Sequence, residues 1–267
     1  MNALHIYAKL IGISIRARMQ YRASFLLLSL GQFVVTGVEF VGVWALFARF
    51  GQLVPWTLAQ VAFFYGAVNV AFAFTDAAAR GFDMFGAELI KTGNFDRVLL
   101  RPRSTALQVA GRDFTPQRVG RLVQGIAVLT WAAIALDMDW TIARAALLAV
   151  TLLAAFAFFY GIVICQAVLS FWTTESLEIM NTLTYGGVET AQYPMAIYQR
   201  TFRRFFTVVV PLACIAYFPI VAVLGIDDPL GSTRAFQYCA PLAGFAFLGA
   251  SLALWRIGVR HYTSTGS

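Results

Sequence analysis

Residues 145–171 read "AALLAVTLLAAFAFFYGIVICQAVLSF", a run without a single charged side chain. Wound as an α-helix at 1.5 Å per residue, it reaches about 40 Å. That exceeds the ~30 Å hydrocarbon layer of a bilayer. The rest of the chain has the same character. Its 267 residues are 60% hydrophobic and only 12% charged, with a mean hydropathy of +0.71. A soluble domain carries roughly 25% charged residues, so half the usual solvating surface is missing. The chain reads as an all-α polytopic membrane protein.

Working outward from 145–171, five further apolar runs of spanning length lie at approximately 24–48, 57–76, 117–136, 204–225 and 237–256. Six transmembrane helices are therefore expected, forming a bundle over 24–256. The first run begins too far from the N-terminus and continues too long for a cleaved signal peptide. Seventeen of the 20 Lys and Arg residues fall before span one, around the loop between spans two and three, just before and at the start of span five, or at and after the end of span six. Only Arg49, Arg144 and Arg234 fall on the other side, which holds Asp137, Asp139, Asp227 and Asp228. The positive-inside rule then puts both termini in the cytoplasm. It also accounts for the net charge of +7 without nucleic acid.

The first 22 residues, "MNALHIYAKLIGISIRARMQYR", place Leu4, Tyr7, Ala8, Ile11, Ile15 and Met19 at helical spacing, with Lys9, Arg16 and Arg22 off that stripe. A basic amphipathic helix before a span is expected to lie in the membrane interface, with Lys9, Arg16 and Arg18 as its cationic residues. A lever joined to span one and facing a partner is the sharper reading.

Two cytoplasmic stretches, 77–116 and 173–202, are longer than topology requires. Both carry apolar residues at helical spacing and are expected to fold as short helices. Within the first, residues 93–104 read "GNFDRVLLRPRS". Phe95, Leu99 and Leu100 form an apolar face flanked by Asp96, Arg97, Arg101 and Arg103, and Pro102 favours ending a helix there. Charge alone satisfies an orientation rule; an apolar face must be buried against the spans or against another protein.

Catalytic chemistry is sparse. The only lysines are Lys9 and Lys91, and "ELIKTG" lacks the glycines with which a Walker A loop cradles phosphate. The chain is therefore not expected to be an enzyme or to bind a cofactor or metal of its own. Cys165, Cys214 and Cys239 lie in apolar runs without CxxC spacing and read as buried, inert thiols. His5 and His261 lie near opposite ends of the chain, outside the spans. Asp76, Asp83 and Glu88 are the densest acidic cluster. Glu39, in "GVEFVGVW", is the clearest ionisable residue within a span. A mid-membrane charge costs about 2.5–3.5 kcal/mol on insertion scales, so it calls for a structural hydrogen bond or a place along a substrate path. Pro211 and Pro219 in span five, and Pro241 in span six, read as kinks. Alternatively, Pro219 breaks the span and 220–235 is re-entrant. Ala240, Gly244, Gly249 and Ala253 allow close packing of span six.

Five motifs, "GNFDRVLLRPRS", "FWTTESLEIMN", "QYPMAIY", "VVVPLACIAYFP" and the terminal "YTSTGS", run in order through nearly the whole chain. In these the chain resembles permease subunits of ABC-2-type ABC transporters, the bacterial six-span branch encoded beside an ATPase and often beside a second permease. Arg103 departs from the pattern, which often has an apolar residue after the Arg-Pro pair. The resemblance implies one ABC-2-type transmembrane domain over 1–267, acting as an exporter in the bacterial inner membrane. It implies a homodimer, or a heterodimer with a related permease, bound to two copies of an ATPase subunit that holds ATP and Mg. It further implies that a coupling helix at 95–103 docks on that ATPase, aided by the N-terminal helix. The translocation path, by the same analogy, involves spans one, two and five, with Glu39, Pro211 and Pro219 near it. Two other classes compete: a membrane-embedded lipid-modifying enzyme, which the acidic cluster would have to serve, and a carrier that works without an ATPase.

Overall fold

The computed structural model describes residues 3–51, 55–173 and 178–264. Among these every regular element is helical. The order begins with α1 (Ala3–Met19), α2 (Arg22–Phe50) and α3 (Leu58–Ala78). A cluster of short pieces follows: α4 (Arg80–Asp83), a π-turn at Gly86–Ile90, α5 (Phe95–Leu99) and α6 (Thr105–Ala110). Then come α7 (Val119–Ala135), α8 (Ile142–Thr173), α9 (Glu178–Ala191), α10 (Arg200–Arg204), α11 (Leu212–Ile215), α12 (Tyr217–Leu224), α13 (Arg234–Cys239) and α14 (Leu242–His261).

Local chemistry sets these boundaries. Gly51, at φ 81°, stops α2 where a side chain would be strained. Thr57 and Gln60 form a reciprocal capping box that starts α3: Thr57 Oγ1 accepts from the Gln60 N–H and Gln60 Oε1 from the Thr57 N–H, at 3.3 and 3.0 Å. Both long connections fold as short helices, with α4, α5 and α6 inside 77–116 and α9 inside 173–202. Within the second, residues 174–177 lie outside the described residues, as do 265–267 of the terminal motif. The side chains of Leu4 and Ala8 on the N-terminal stripe are likewise outside the description.

Among the described residues, four helices are long and apolar enough to cross a membrane: Arg22–Phe50, Leu58–Ala78, Ile142–Thr173 and Arg234–His261. A fifth candidate is a bent pair, Arg200–Val209 and Leu212–Leu224, meeting at 73°. The remaining expected span, span three at 117–136, holds the 17-residue α7 preceded by a 3-10 turn at Pro116–Arg118.

The break in the fifth candidate corrects one expectation. It falls at Val210 and Pro211, where the chain leaves the helix (Val210 φ −116°, ψ 100°), and not at Pro219. Pro219 sits in the first turn of α12, where a missing N–H leaves no helical hydrogen bond unmade. The helix accordingly continues through Pro219 to a left-handed Gly225. Pro241 interrupts span six between α13 and α14.

α3 is the centre of the bundle, buried along almost its whole length between α2, α7 and α8. Its Phe63, Phe64 and Phe72 pack with Trp56, Phe158, Phe159 and Tyr217 in the main core. Close approach is enforced at several glycines, two of which illustrate it. A Cβ on Gly120 would strike the Ser29 carbonyl where α7 meets α2, and one on Gly244 would strike that of Ala154 where α14 meets α8. Gly249, by contrast, faces open space, so only part of the span-six small-residue pattern is packing.

The outside of the bundle is as apolar as its inside. Only 11% of the most apolar window of α2 is buried, leaving Leu26, Leu27, Val34, Val38 and Trp44 exposed. A continuous face of this size is a membrane or protein contact and not a water-facing surface. The cysteines depart partly from expectation: Cys214 is buried, Cys165 is partly buried and donates to Ser251 Oγ at 3.3 Å, but Cys239 is exposed because α13 lies on the surface.

Candidate functional site

The short pieces between α3 and α7 fold against the ends of α8 and α14, forming a second hydrophobic cluster. Gly93 turns the chain at φ 67°, and α5 follows. Phe95, its first residue, has no exposed surface. Four rings surround it edge-on, with centroids at 5.0 Å (Tyr262), 5.1 Å (Phe85), 5.5 Å (Phe171) and 6.3 Å (Trp255). Edge-to-face pairs at these separations add to the stabilisation from burial.

The expectation of one apolar face formed by Phe95, Leu99 and Leu100 therefore does not hold. One turn of helix points the three in different directions. Phe95 and Val98 turn into the chain's own core, while Leu99 is 40% and Leu100 84% exposed. Phe95 fixes the segment; Leu99 and Leu100 are what it presents. Arg97, Arg101, Pro102 and Arg103 are exposed beside them. Gln108 holds the turn closed, its side-chain amide donating to the carbonyls of Val98 at 3.2 Å and Arg103 at 3.1 Å.

The C-terminal tail completes this arrangement. Ser264 Oγ donates to Asp96 Oδ2 at 2.8 Å, and the indole N–H of Trp255 donates to Thr105 Oγ1 at 3.0 Å. Asp96 and Ser264 are 168 positions apart in sequence. The quoted terminal motif and the aromatic Trp255 and Tyr262 were the available signals, but nothing in a linear reading says which loop they cover.

The N-terminal helix reaches the same region. Arg18 makes an ion pair with Asp113 at 2.7 Å, whereas Lys9 and Arg16 are exposed. Leu10 lies directly over Gly111, where a Cβ would come within 2.8 Å of Leu10 Cδ1. The 95–103 segment and α1 thus lie beside one another, with Leu10, Ile13 and Ser14 of α1 facing the same cleft as Arg97, Arg101 and Arg103 and, of the α1 cations, Arg18 tied to Asp113.

A family model described as ABC-2 family transporter protein matches residues 33–266. The chain belongs to the ABC-2 transporter family. No curated protein and no solved structure gives a significant match. For an ABC-2 family protein the natural role is that of a membrane component of a transporter, working with ATPase subunits.

The acidic cluster of this ABC-2 protein is neutralised by arginine. Asp76 pairs with Arg118 at 2.9 Å, Asp83 with Arg80 at 2.6 Å and Glu88 with Arg112 at 3.4 Å. Carboxylates held this way are structural counter-ions, a poor starting point for acid–base chemistry.

Glu39 lies on the exposed face of α2. The Tyr65 hydroxyl, donating to the Thr36 carbonyl at 2.7 Å, comes within 3.5 Å of Glu39 Oε2. Pro219 is buried and Pro211 half-buried. The structure does not gather the three path candidates into one open site.

Composition did not reveal a polar column inside the bundle. Arg121 Nε donates to Asn69 Oδ1 at 2.8 Å, and its guanidinium lies 4.9 Å from the Phe72 ring centre. On one side of it sits the Arg118–Asp76 pair; on the other, buried Tyr65 leads out to Glu39 on the exposed face of α2. The signal was present as Arg118 and Arg121 at i, i+3 in span three, opposite Asn69 and Asp76 at i, i+7 in span two.

Proposed function

We propose that this chain is the transmembrane permease subunit of an ATP-driven exporter in the bacterial inner membrane. The exposed Leu99, Leu100 and Arg101, at and just beyond the end of a helix whose first residue is locked in the protein's own core, carry the reading. An apolar pair beside arginines, held on a rigid mount, is a face built to seat in a partner. The partner is a cytoplasmic ATPase, two copies per complex, which binds ATP and Mg. Two permeases assemble as a homodimer or with a related chain.

In this reading the protein has six spans, with both termini cytoplasmic, over a single domain of 1–267. Span three, the one remaining, is α7. Its 17 residues rise about 26 Å, and the 3-10 turn at Pro116–Arg118 adds about 6 Å. Together they match the ~30 Å layer. Movement of the ATPases on binding and hydrolysing ATP is transmitted through 95–103 and α1 to the spans. The face of α2 that carries Glu39 then borders the path.

Co-purification with the ATPase subunit encoded beside it tests this reading. Leu100→Asp and Arg101→Glu should each reduce the retained ATPase at least tenfold without altering the size-exclusion profile of the permease. Wild-type retention by both variants would sink the docking assignment.

A further inference from the structure

Between α1 and the turn at 94–112 lies a cleft of about 630 Å³. Four arginines line it: Arg97, Arg101, Arg103 and Arg112. Only Arg112 has an acidic partner among the described residues, Glu88 at 3.4 Å. The cleft thus concentrates positive charge well beyond what its one carboxylate balances. Its remaining walls are largely apolar, with Leu10 and Ile13 from α1 and Leu89, Val98 and Val109 opposite. Leu10 over Gly111 and the Arg18–Asp113 pair hold the two walls in register.

The depth of the cleft follows from the chain. Two residues separate α1 from α2, and no charged residue occurs between Arg22 and Glu39. The start of α2 therefore marks the edge of the hydrocarbon layer, and α1 with its cleft lies at the level of lipid headgroups. Lys9 and Arg16, exposed on α1, add a basic surface beside it.

We infer that this cleft binds a phosphate group presented by an anionic phospholipid headgroup. Guanidinium groups match phosphate oxygens in paired hydrogen bonds. The apolar walls suit the glycerol and first methylenes of the chains, which a free phosphate lacks. A zwitterionic headgroup brings a cation toward four arginines and is disfavoured. Leu99 and Leu100, the apolar part of the proposed docking face, are not among the walls of the cleft; Arg101 lines it and borders that face, so the site rests on Arg97, Arg103 and Arg112 whether or not an ATPase docks. Its occupant ties α1 to the 95–103 segment, making their coupling dependent on the lipid.

Native mass spectrometry of the full chain, released from nanodiscs of mixed phosphatidylglycerol and phosphatidylcholine, tests this. Phosphatidylglycerol should be retained at least fivefold over phosphatidylcholine, and Arg97→Gln with Arg112→Gln should abolish that preference. Equal retention of the two lipids, or an undiminished preference in the double variant, overturns the proposal. Release of the lipid by millimolar inorganic phosphate assigns the site to a free anion, and release by the partner ATPase assigns it to that protein; either overturns the headgroup. Should the double variant fail to fold, a photoactivatable phosphatidylglycerol on the wild-type chain gives the answer. Crosslinks on peptides covering 10–14 and 94–112 support the site, and crosslinks confined to the outer faces of the spans refute it.

Discussion

Phe95→Ala separates anchoring from docking. The ring is fully buried by Phe85, Phe171, Trp255 and Tyr262 of the same chain. Burial of such a side chain stabilises by about 1.5–3 kcal/mol, and the cavity left behind raises the loss on truncation to about 3–5 kcal/mol. That loss falls on the 93–105 segment, whose other ties are Val98, Gln108, the Trp255–Thr105 bond and the Ser264–Asp96 bond. At about 1.4 kcal/mol per factor of ten, even the low end opens the segment about a hundredfold more often. Hydrogen exchange on detergent-solubilised protein reads this directly. Amides of residues 96–101 should lose about two decades of protection, while those of α3 between Val61 and Phe72 should stay within a factor of two. Tyr262→Ala should produce a smaller effect at the same amides, because that ring is one of four and is only partly buried. Unchanged protection at 96–101 in Phe95→Ala would refute the anchoring argument and return Phe95 to the exposed docking face.

Two further perturbations address other parts of the molecule. Arg118→Ala leaves Asp76 in the bundle without its ion-pair partner at 2.9 Å, a loss that, for a pair still partly exposed, falls below the about 3–5 kcal/mol of a fully buried pair broken on one side. Folded yield by fluorescence size exclusion should fall severalfold, and adding Asp76→Asn should restore most of it; no rescue would mean that the pair is not the cause. Asp228, in the segment after α12, feels burial that raises its pKa, but hydrogen bonds from Ser232, the Tyr217 hydroxyl and the Leu230 and Ser232 N–H groups outweigh it and hold the carboxyl below its ordinary range. A folded pKa below the unfolded one gives stability that is present above about pH 4 and is lost as pH falls through the folded value. Melting curves should therefore decline more steeply in acid for the wild type than for Asp228→Asn, and parallel declines would contradict the assignment.

Class was legible because it depends on sums. Long uncharged runs force helices in a bilayer whatever their neighbours are, since only intrahelical bonding satisfies the backbone there. The basic amphipathic start and the short helices in both long loops were legible for the same reason: their periodicity is local. Break positions were less so. Pro219 and Pro211 are the same residue type in one apolar run, and only the path of the chain through the core puts one in a helix's first turn and the other at a 73° bend.

The candidate site divided along similar lines. Sequence by itself determined that residues 93–104 pair apolar side chains with arginines and end on proline, and hence that something must bury part of them. Tertiary structure alone decided what does so. The C-terminal tail arrives from 168 positions away to cover Phe95 and bond Asp96, leaving Leu99 and Leu100 outside. It likewise put Arg121 beside Asn69, and α1 across Gly111, where the arginine cleft forms. Periodicity records which side of a helix is apolar; it carries no information about which distant segment will meet that side. That is fixed only when the whole chain competes for the same buried surface.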